Sequence, residues 1–300
     1  MCLIIGGRVP GPLGAPGGSP PVSLQSGAAI VELIEPEPVF GQSAALQNVN
    51  LPLFAGEQNA PVPEDMVQGN LNNCPVAAIL AALAHVEPET VAGMIARSTA
   101  EVRSRRRSDP PDSLPYRTDR LYTVQFLGGH PVQVSSFLYY TGGAIAYARS
   151  PEDRAAWMSY IEKAYAVFRG GGSYNRLNTT TQLGQPPSLN QVMEDLAGPY
   201  DFADIAENLM YRHHSDSVAL TDADLRQMLA RANHRATVAG SRDDGIPESF
   251  VPGHAYTVLG RTGNSVSLRN PQGGPDAAVT LSFNEFKTIF RAVLQASLGS

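Results

Sequence analysis

The chain has only two cysteines, Cys2 and Cys74, in 300 residues. Two thiols cannot build a cysteine-rich zinc site. Cys2 sits in a Gly/Pro-rich end, so a structural disulfide is not expected, and a reducing compartment or indifference to redox state fits best. Positive charge is also scarce: 22 Lys and Arg face 28 Asp and Glu, a formal net charge of −6. That balance argues against a general nucleic-acid binder, which is usually basic. No apolar run approaches the ~18 residues needed to cross a bilayer. The opening MCLIIGGRVPGP has no basic n-region and no proper h-region, so no secretory signal is read there. No Ca²⁺ loop of the D-x-D-x-D-G type occurs. Gly170-Gly171-Gly172 lacks the Lys-Ser/Thr ending of a phosphate loop. His213-His214, with Asp216 nearby, has no second ligand cluster and reads as a solvated loop.

What the chain does have is enough length and apolar content (43%) for a substantial core. Residues 1–60 read as a Gly/Pro-rich flexible arm, with an alternating stretch at 28–36 able to form a strand or a docking segment. A disordered tail is the simple expectation for this arm. The sharper one is a propeptide or a targeting segment, of the kind carried by a secreted effector or toxin without a standard signal peptide. Otherwise a cytoplasmic location is expected. Residues 61–295 read as one folded domain, helical over about 61–200 and β-rich over about 201–295. Helices are expected over 74–85, 157–168, 188–198 and 221–234, the second amphipathic with Trp157, Ile161, Ala164, Tyr165 and Phe168 on one face. The third carries a Ser or Asn cap, and the fourth a capping box of Thr221 and Asp224. Strands are expected over 121–129, 131–140, 235–241, 254–260 and 265–270. The basic cluster Arg103, Arg105, Arg106 and Arg107 reads as a solvated loop before Pro110-Pro111.

Cys74 is placed for chemistry. It precedes Pro75 and the apolar run VAAILAALAH, so it stands at a helix N-terminus. There the helix dipole favours a negative charge, and cysteine pKa values fall. Pro75 suits the first turn, and Asn72 or Asn73 can cap it. A lone cysteine is more often a buried structural residue, so the case depends on what faces it.

The segment GHAYTVLGRTGNSVSLRNPQG supplies a base and its orienter. His254 opens one strand, Asn270 closes the next, and residues 261–264 turn between them. Paired positions in an antiparallel hairpin keep a constant index sum, here about 524 to 526 if the turn centres on Thr262 and Gly263. His254 and Asn270 give 524, so their side chains are expected opposite or nearly so. The Asn270 carbonyl then fixes one imidazole nitrogen and leaves the other for a thiol. Gln68, six residues before Cys74, can join the Cys74 backbone N–H as an oxyanion donor. The histidines outside this pattern, His85, His130 and His234 among them, read as structural.

Five ordered stretches resemble the calpain family of cysteine proteases. QGNLNNCPVAA (68–78) is similar to Q-G-x-L-G-[DN]-C-W-x-x-A-[AS]. WMSYIEKAYAVFRGGGSYNRL (157–177) is similar to the family's W-x-x-L-[LI]-E-K-A-Y-A helix and its G-S-Y-x-x-L continuation. VPGHAYTVLG (251–260) resembles V-x-G-H-A-Y-[ST]-V, and SLRNPQG (267–273) resembles L-[RK]-N-P-W-G. LSFNEFKTIF (281–290) resembles the closing strand and helix. The resemblance spans about residues 61–290. It implies an α+β, papain-like, two-lobed cysteine endopeptidase with Cys74 as nucleophile, His254 as base, Asn270 as orienter and Gln68 as oxyanion donor.

Two departures stand out. Pro75 and Gln272 occupy positions where the family usually has tryptophan. The second tryptophan normally shields the triad, so a more exposed His254–Asn270 bond is expected. Calcium is suggested by the family, but no acidic residues match its sites, so no cofactor is expected. Peptide or protein substrates are the expected partners, with no nucleic acid and no membrane span. A deamidase, transglutaminase or acyltransferase would use the same Cys-His pair. A papain-like binding module with weakened catalysis is the third reading.

Overall fold

The computed structural model describes residues 30–55, 59–127, 129–178, 186–212, 216–274 and 277–297. The expectations for residues 1–29, Cys2 included, and for His213 and His214 fall outside the described residues.

Strands β1 (Ile30–Glu35) and β2 (Ala45–Asn48) precede helices α1 (Cys74–Val86) and α2 (Pro88–Met94). Then come β3 (Ile95–Arg106), β4 (Tyr116–Val124), β5 (Val132–Ser135), β6 (Phe137–Thr141) and β7 (Ala144–Ile145). Helices α3 (Trp157–Phe168) and α4 (Leu189–Ala197) close this first part. The second part holds β8 (Tyr200–Asp204), β9 (Leu209–Arg212), β10 (Val218–Ala219), α5 (Asp222–Arg231), β11 (Thr237–Ser241), β12 (Ala255–Thr262) and β13 (Ser265–Arg269). It ends with β14 (Ala278–Ser282), α6 (Phe283–Ile289) and β15 (Phe290–Ala296). The fold class is α+β. The sheets run β1-β3-β4-β5, β2-β6-β7 and β10-β9-β8-β15-β11-β12-β13-β14.

Helix α1 is apolar all round, and residues 74–84 are buried on every side. Such a helix must sit inside the molecule. It packs against α4, β11 and β12. Thr257 on β12 donates its hydroxyl to the Ala78 carbonyl at 2.8 Å, and His85 Nε2 lies 2.9 Å from the Leu259 carbonyl. These contacts lock the helix that begins at Cys74 to the strand that follows His254.

Three expectations need correction. First, the folded part does not begin near residue 61. β1 pairs in parallel with β3, from Ile30 opposite Glu101 to Glu35 opposite Arg106, and β2 pairs with β6. The cause is long-range: the buried Glu35 carboxylate meets Lys163 Nζ at 2.6 Å and accepts from Ser135 Oγ at 2.5 Å. Second, the part before residue 200 is not mainly helical, because it carries two sheets. Third, Arg103, Arg105 and Arg106 lie in a 12-residue strand rather than a loop. Their neighbours Val102 and Ser104 are buried, so the period-two signal sat in the uncharged positions. Arg103 pairs with Glu101 and Arg106 with Asp109, each at 2.6 Å.

The remaining helix readings hold with one change. Ser188 accepts from Gln191 N–H, and Thr221 and Asp224 form the reciprocal capping box. Helix α3, expected to show a polar face, is buried from Trp157 through Ala166, Glu162 and Lys163 included. Gly170 after it is required by close approach, since a Cβ there would lie 2.4 Å from the Ser173 carbonyl oxygen and 2.5 Å from that of Ala166.

Candidate active site

The turn before α1 is built from its own polar groups. The Gln68 backbone N–H donates to the Pro271 carbonyl at 2.8 Å, tying this turn to the loop after Asn270. Gly69 adopts φ +69°, and a Cβ there would come within 2.2 Å of the Tyr147 carbonyl oxygen, so no other residue fits. Asn70 N–H reaches the Ala146 carbonyl at 2.9 Å. The Leu71 carbonyl accepts twice, from Gln68 Nε2 at 2.5 Å and from Asn73 N–H at 2.9 Å. Asn73 holds the N-cap position, but its side chain does not cap the helix. Instead, Asn73 Nδ2 donates to Glu162 Oε1 at 2.7 Å.

Cys74 occupies the first position of α1 and is fully buried. Its sulfur accepts the Ala255 backbone N–H at 3.3 Å. The cysteine of the front part thus meets the residue next to His254. Contrary to expectation, Cys74 is disulfide-bonded in this structure, and the described residues contain no free cysteine. The thiol chemistry below therefore belongs to the reduced protein.

His254 lies just before β12 and is 2% exposed. Its backbone is pinned by Ser241: the His254 N–H donates to Ser241 Oγ at 2.9 Å, and the Ser241 N–H donates to the His254 carbonyl at 2.9 Å. His254 Nε2 lies 3.0 Å from Asn270 Oδ1. The same oxygen accepts the Gln272 backbone N–H at 3.0 Å. Burial lowers the His254 pKa to about 4, against a smaller opposing effect of the Asn270 hydrogen bond. In this oxidised form the imidazole is neutral at pH 7, so Nε2–H donates to Asn270 and Nδ1 keeps its lone pair.

Gln272, expected to leave the pair exposed, is itself solvent-facing, yet His254 stays buried. Tyr256 packs against the ring. Its ring meets the imidazole edge-on at 5.0 Å and 85°, and its hydroxyl accepts the Val251 N–H at 2.9 Å. The H-A-Y triplet placed Tyr256 two residues from His254 on the same side of a strand, a usable signal that sequence reasoning left unused. Glu162 and Ser241 were equally unassigned, and Asn73 was expected only as a cap, a role its side chain does not take.

All four residues proposed from the sequence therefore gather at one place: Cys74 and Gln68 from the front part, His254 and Asn270 from the rear. Among the described residues, no group of three or more His, Cys, Asp or Glu side chains is placed to hold a metal ion. No helix described is long and apolar enough to cross a membrane.

A helix-borne cysteine beside a histidine–amide pair is the arrangement that a thiol hydrolase requires. Residues 47–276 match the family model described as calpain family cysteine protease. The match covers well over half of the chain, and the chain belongs to the calpain family of cysteine proteases. No curated protein matches it.

Proposed function

We propose that this protein is a papain-like endopeptidase whose cleft lies between two lobes and which works through Cys74, His254 and Asn270. The observation that carries this reading is the contact of the Cys74 sulfur with the Ala255 N–H, next to an imidazole whose far nitrogen is held by Asn270.

In the reduced protein, His254 Nδ1 takes the Cys74 proton. Burial opposes a charged imidazole, but an adjacent thiolate favours it. Two opposite charges formed together in a low-dielectric site stabilise each other, and Asn270 Oδ1 accepts from the imidazolium at Nε2. The sulfur attacks the peptide carbonyl carbon. The carbonyl oxygen becomes an oxyanion facing the Gln68 amide and the Cys74 N–H at the positive end of α1. The C–N bond breaks, the amine leaves with the proton from His254, and a thioester remains on Cys74. Water then gives its proton to His254 and attacks the thioester. The acid product leaves and the thiolate–imidazolium pair returns.

Gln68 Nε2 already donates to the Leu71 carbonyl, which fixes the amide plane and leaves its second hydrogen for the oxyanion. The test is cleavage of an unfolded protein substrate under reducing conditions. Cys74→Ser should abolish the new termini that wild-type protein produces. Full cleavage by this variant would remove the proposal.

A further inference from the structure

We propose that Glu162 is a positioning residue for the nucleophile: its buried carboxyl holds the Asn73 side chain with one oxygen and the Ala148 N–H with the other, fixing the turn that presents Cys74 and Gln68. The inference rests on the peptidase reading and extends it to a residue outside the triad.

The geometry converges on one carboxyl. Asn73 Nδ2 donates to Oε1 at 2.7 Å, and the Ala148 N–H donates to Oε2 at 2.8 Å. Glu162 is 1% exposed and Asn73 2%. A carboxyl is costly to bury unless its hydrogen bonds are met. An asparagine at an N-cap ordinarily accepts from the next turn of its own helix. Here Asn73 gives up that role and spans 89 positions of sequence to reach α3.

Both ends of the clamp lead to the reacting groups. Asn73 immediately precedes Cys74, and its N–H shares the Leu71 carbonyl with the Gln68 amide. Displacing Asn73 thus disturbs the cysteine backbone and the oxyanion donor together. Ala148 lies beside Arg149, which exchanges two backbone bonds of 2.9 Å with Val67, next to Gln68. Ser159 Oγ secures the Ala148 carbonyl at 2.5 Å. Helix α3 therefore grips the turn from both sides.

The titratable groups around this carboxyl are Tyr147 and Tyr174, whose phenols burial keeps neutral, with Glu162 adding to the upward shift. Lys163 follows on the helix but is committed to Glu35. Burial raises the Glu162 pKa to about 7, opposed by its bonds from Ala148 and Asn73. Its charge therefore changes near neutrality. The neutral carboxyl favours a thiolate at Cys74, and the carboxylate opposes it. Asn73 Oδ1 is buried without a partner among the described residues, so a turned-over amide can pair with a neutral donor at position 162.

The test is the rate of iodoacetamide alkylation at Cys74, located by peptide mass, in the reduced full-length protein over a range of pH. Glu162→Ala and Asn73→Ala should each slow it about tenfold at pH 6, the scale of a small misplacement. Glu162→Gln should stay within about threefold of wild type and should lose the inflection near pH 7 that Glu162 produces. Circular dichroism melts give the folded fraction of each variant. Wild-type rates in folded Glu162→Ala and Asn73→Ala, or an unchanged inflection in Glu162→Gln, would overturn the assignment. If wild-type Cys74 reacts no faster than a small exposed thiol, the activated nucleophile itself falls, and the assignment falls with it. That outcome is read from wild type alone, so the two failures are distinguishable.

Discussion

His254 and Asn270 meet diagonally rather than face to face. β12 and β13 pair Thr257 with Arg269 and Val258 with Leu268, an index sum of 526. The register has shifted by one across Leu259 from the turn, where Thr262 faces Ser265. In that frame Asn270 lies opposite Tyr256, two positions along from His254. The imidazole and the amide still close a 3.0 Å bond beyond the strand ends, and Tyr256, two residues on from His254, meets the imidazole edge-on.

The orienting bond should matter more for turnover than for binding. Asn270→Ala is expected to lower kcat by about 10² with little change in KM, because it frees the ring that moves the proton. Gln272→Trp, restoring the family's residue, should change kcat by less than about threefold, since His254 is already buried beside Tyr256. Steady-state kinetics on a fluorogenic peptide measure both. A large gain from Gln272→Trp would show that the pair is not already shielded.

Activity should depend on reduction. Cys74 is disulfide-bonded here, and a disulfide sulfur cannot act as the attacking thiolate. Protein kept oxidised should be inactive and should gain activity on incubation with dithiothreitol. Quantifying alkylated Cys74 before and after treatment, alongside activity, checks this. Full activity with Cys74 unavailable to alkylation would contradict it.

Two buried groups give stability opposite pH slopes. The His254 pKa is depressed from 6.5 to about 4. Its contribution is complete above pH 6.5 and is lost as pH falls through 4, with a ceiling of about 3 kcal/mol. The Glu162 pKa is raised from 4.5 to about 7. Its contribution is complete below pH 4.5 and is lost as pH rises through 7. The slopes oppose each other over their shared window, so oxidised wild-type protein should be nearly level between pH 5 and 6.5. Urea unfolding of His254→Gln should reveal stability falling as pH rises there, and Glu162→Gln the reverse. Matching profiles for all three proteins would contradict the assignment.

The first strand is held by a buried ion pair, and breaking one side should be costly. Lys163 Nζ lies 2.6 Å from Glu35 and donates to the Ser135 and Phe137 carbonyls at 3.1 and 2.7 Å. Burial pulls the lysine pKa down, while the adjacent carboxylate pushes it up. Glu35→Ala should destabilise by about 3 kcal/mol or more, because it strands a buried ammonium. The urea midpoint of the full chain measures it. A loss below about 1 kcal/mol, the scale of surface pairs, would mean that β1 contributes little to the folded body.

What the sequence makes legible is what short-range chemistry determines. Cys74 with Pro75 and the Thr221–Asp224 box are local patterns that stand where their residues imply, and the turn between β12 and β13 is local too but sits further along, on Gly263 and Asn264 between paired Thr262 and Ser265. The misread elements depend on distant partners. β3 is rich in arginine and becomes a strand because β1 and β4 flank it. Residues 30–35 look detachable until Lys163 is placed behind Glu35. Glu162 and Lys163 suggest a solvated helix face, yet each is buried against a specific polar partner. The site residues were readable because they sit at element ends, where backbone polarity is unfilled and turn chemistry is strict. The residues that support them were not, because their bonds cross 89 and 128 positions of sequence.

The most direct test of the central claim is to trap the covalent intermediate. Reduced protein turning over a peptide ester would be quenched in acid and mapped by mass spectrometry. The account predicts an acyl group on the Cys74 peptide, removable by hydroxylamine and absent from the Cys74→Ser variant. Turnover with the acyl group on another residue, or undiminished in Cys74→Ser, would contradict it.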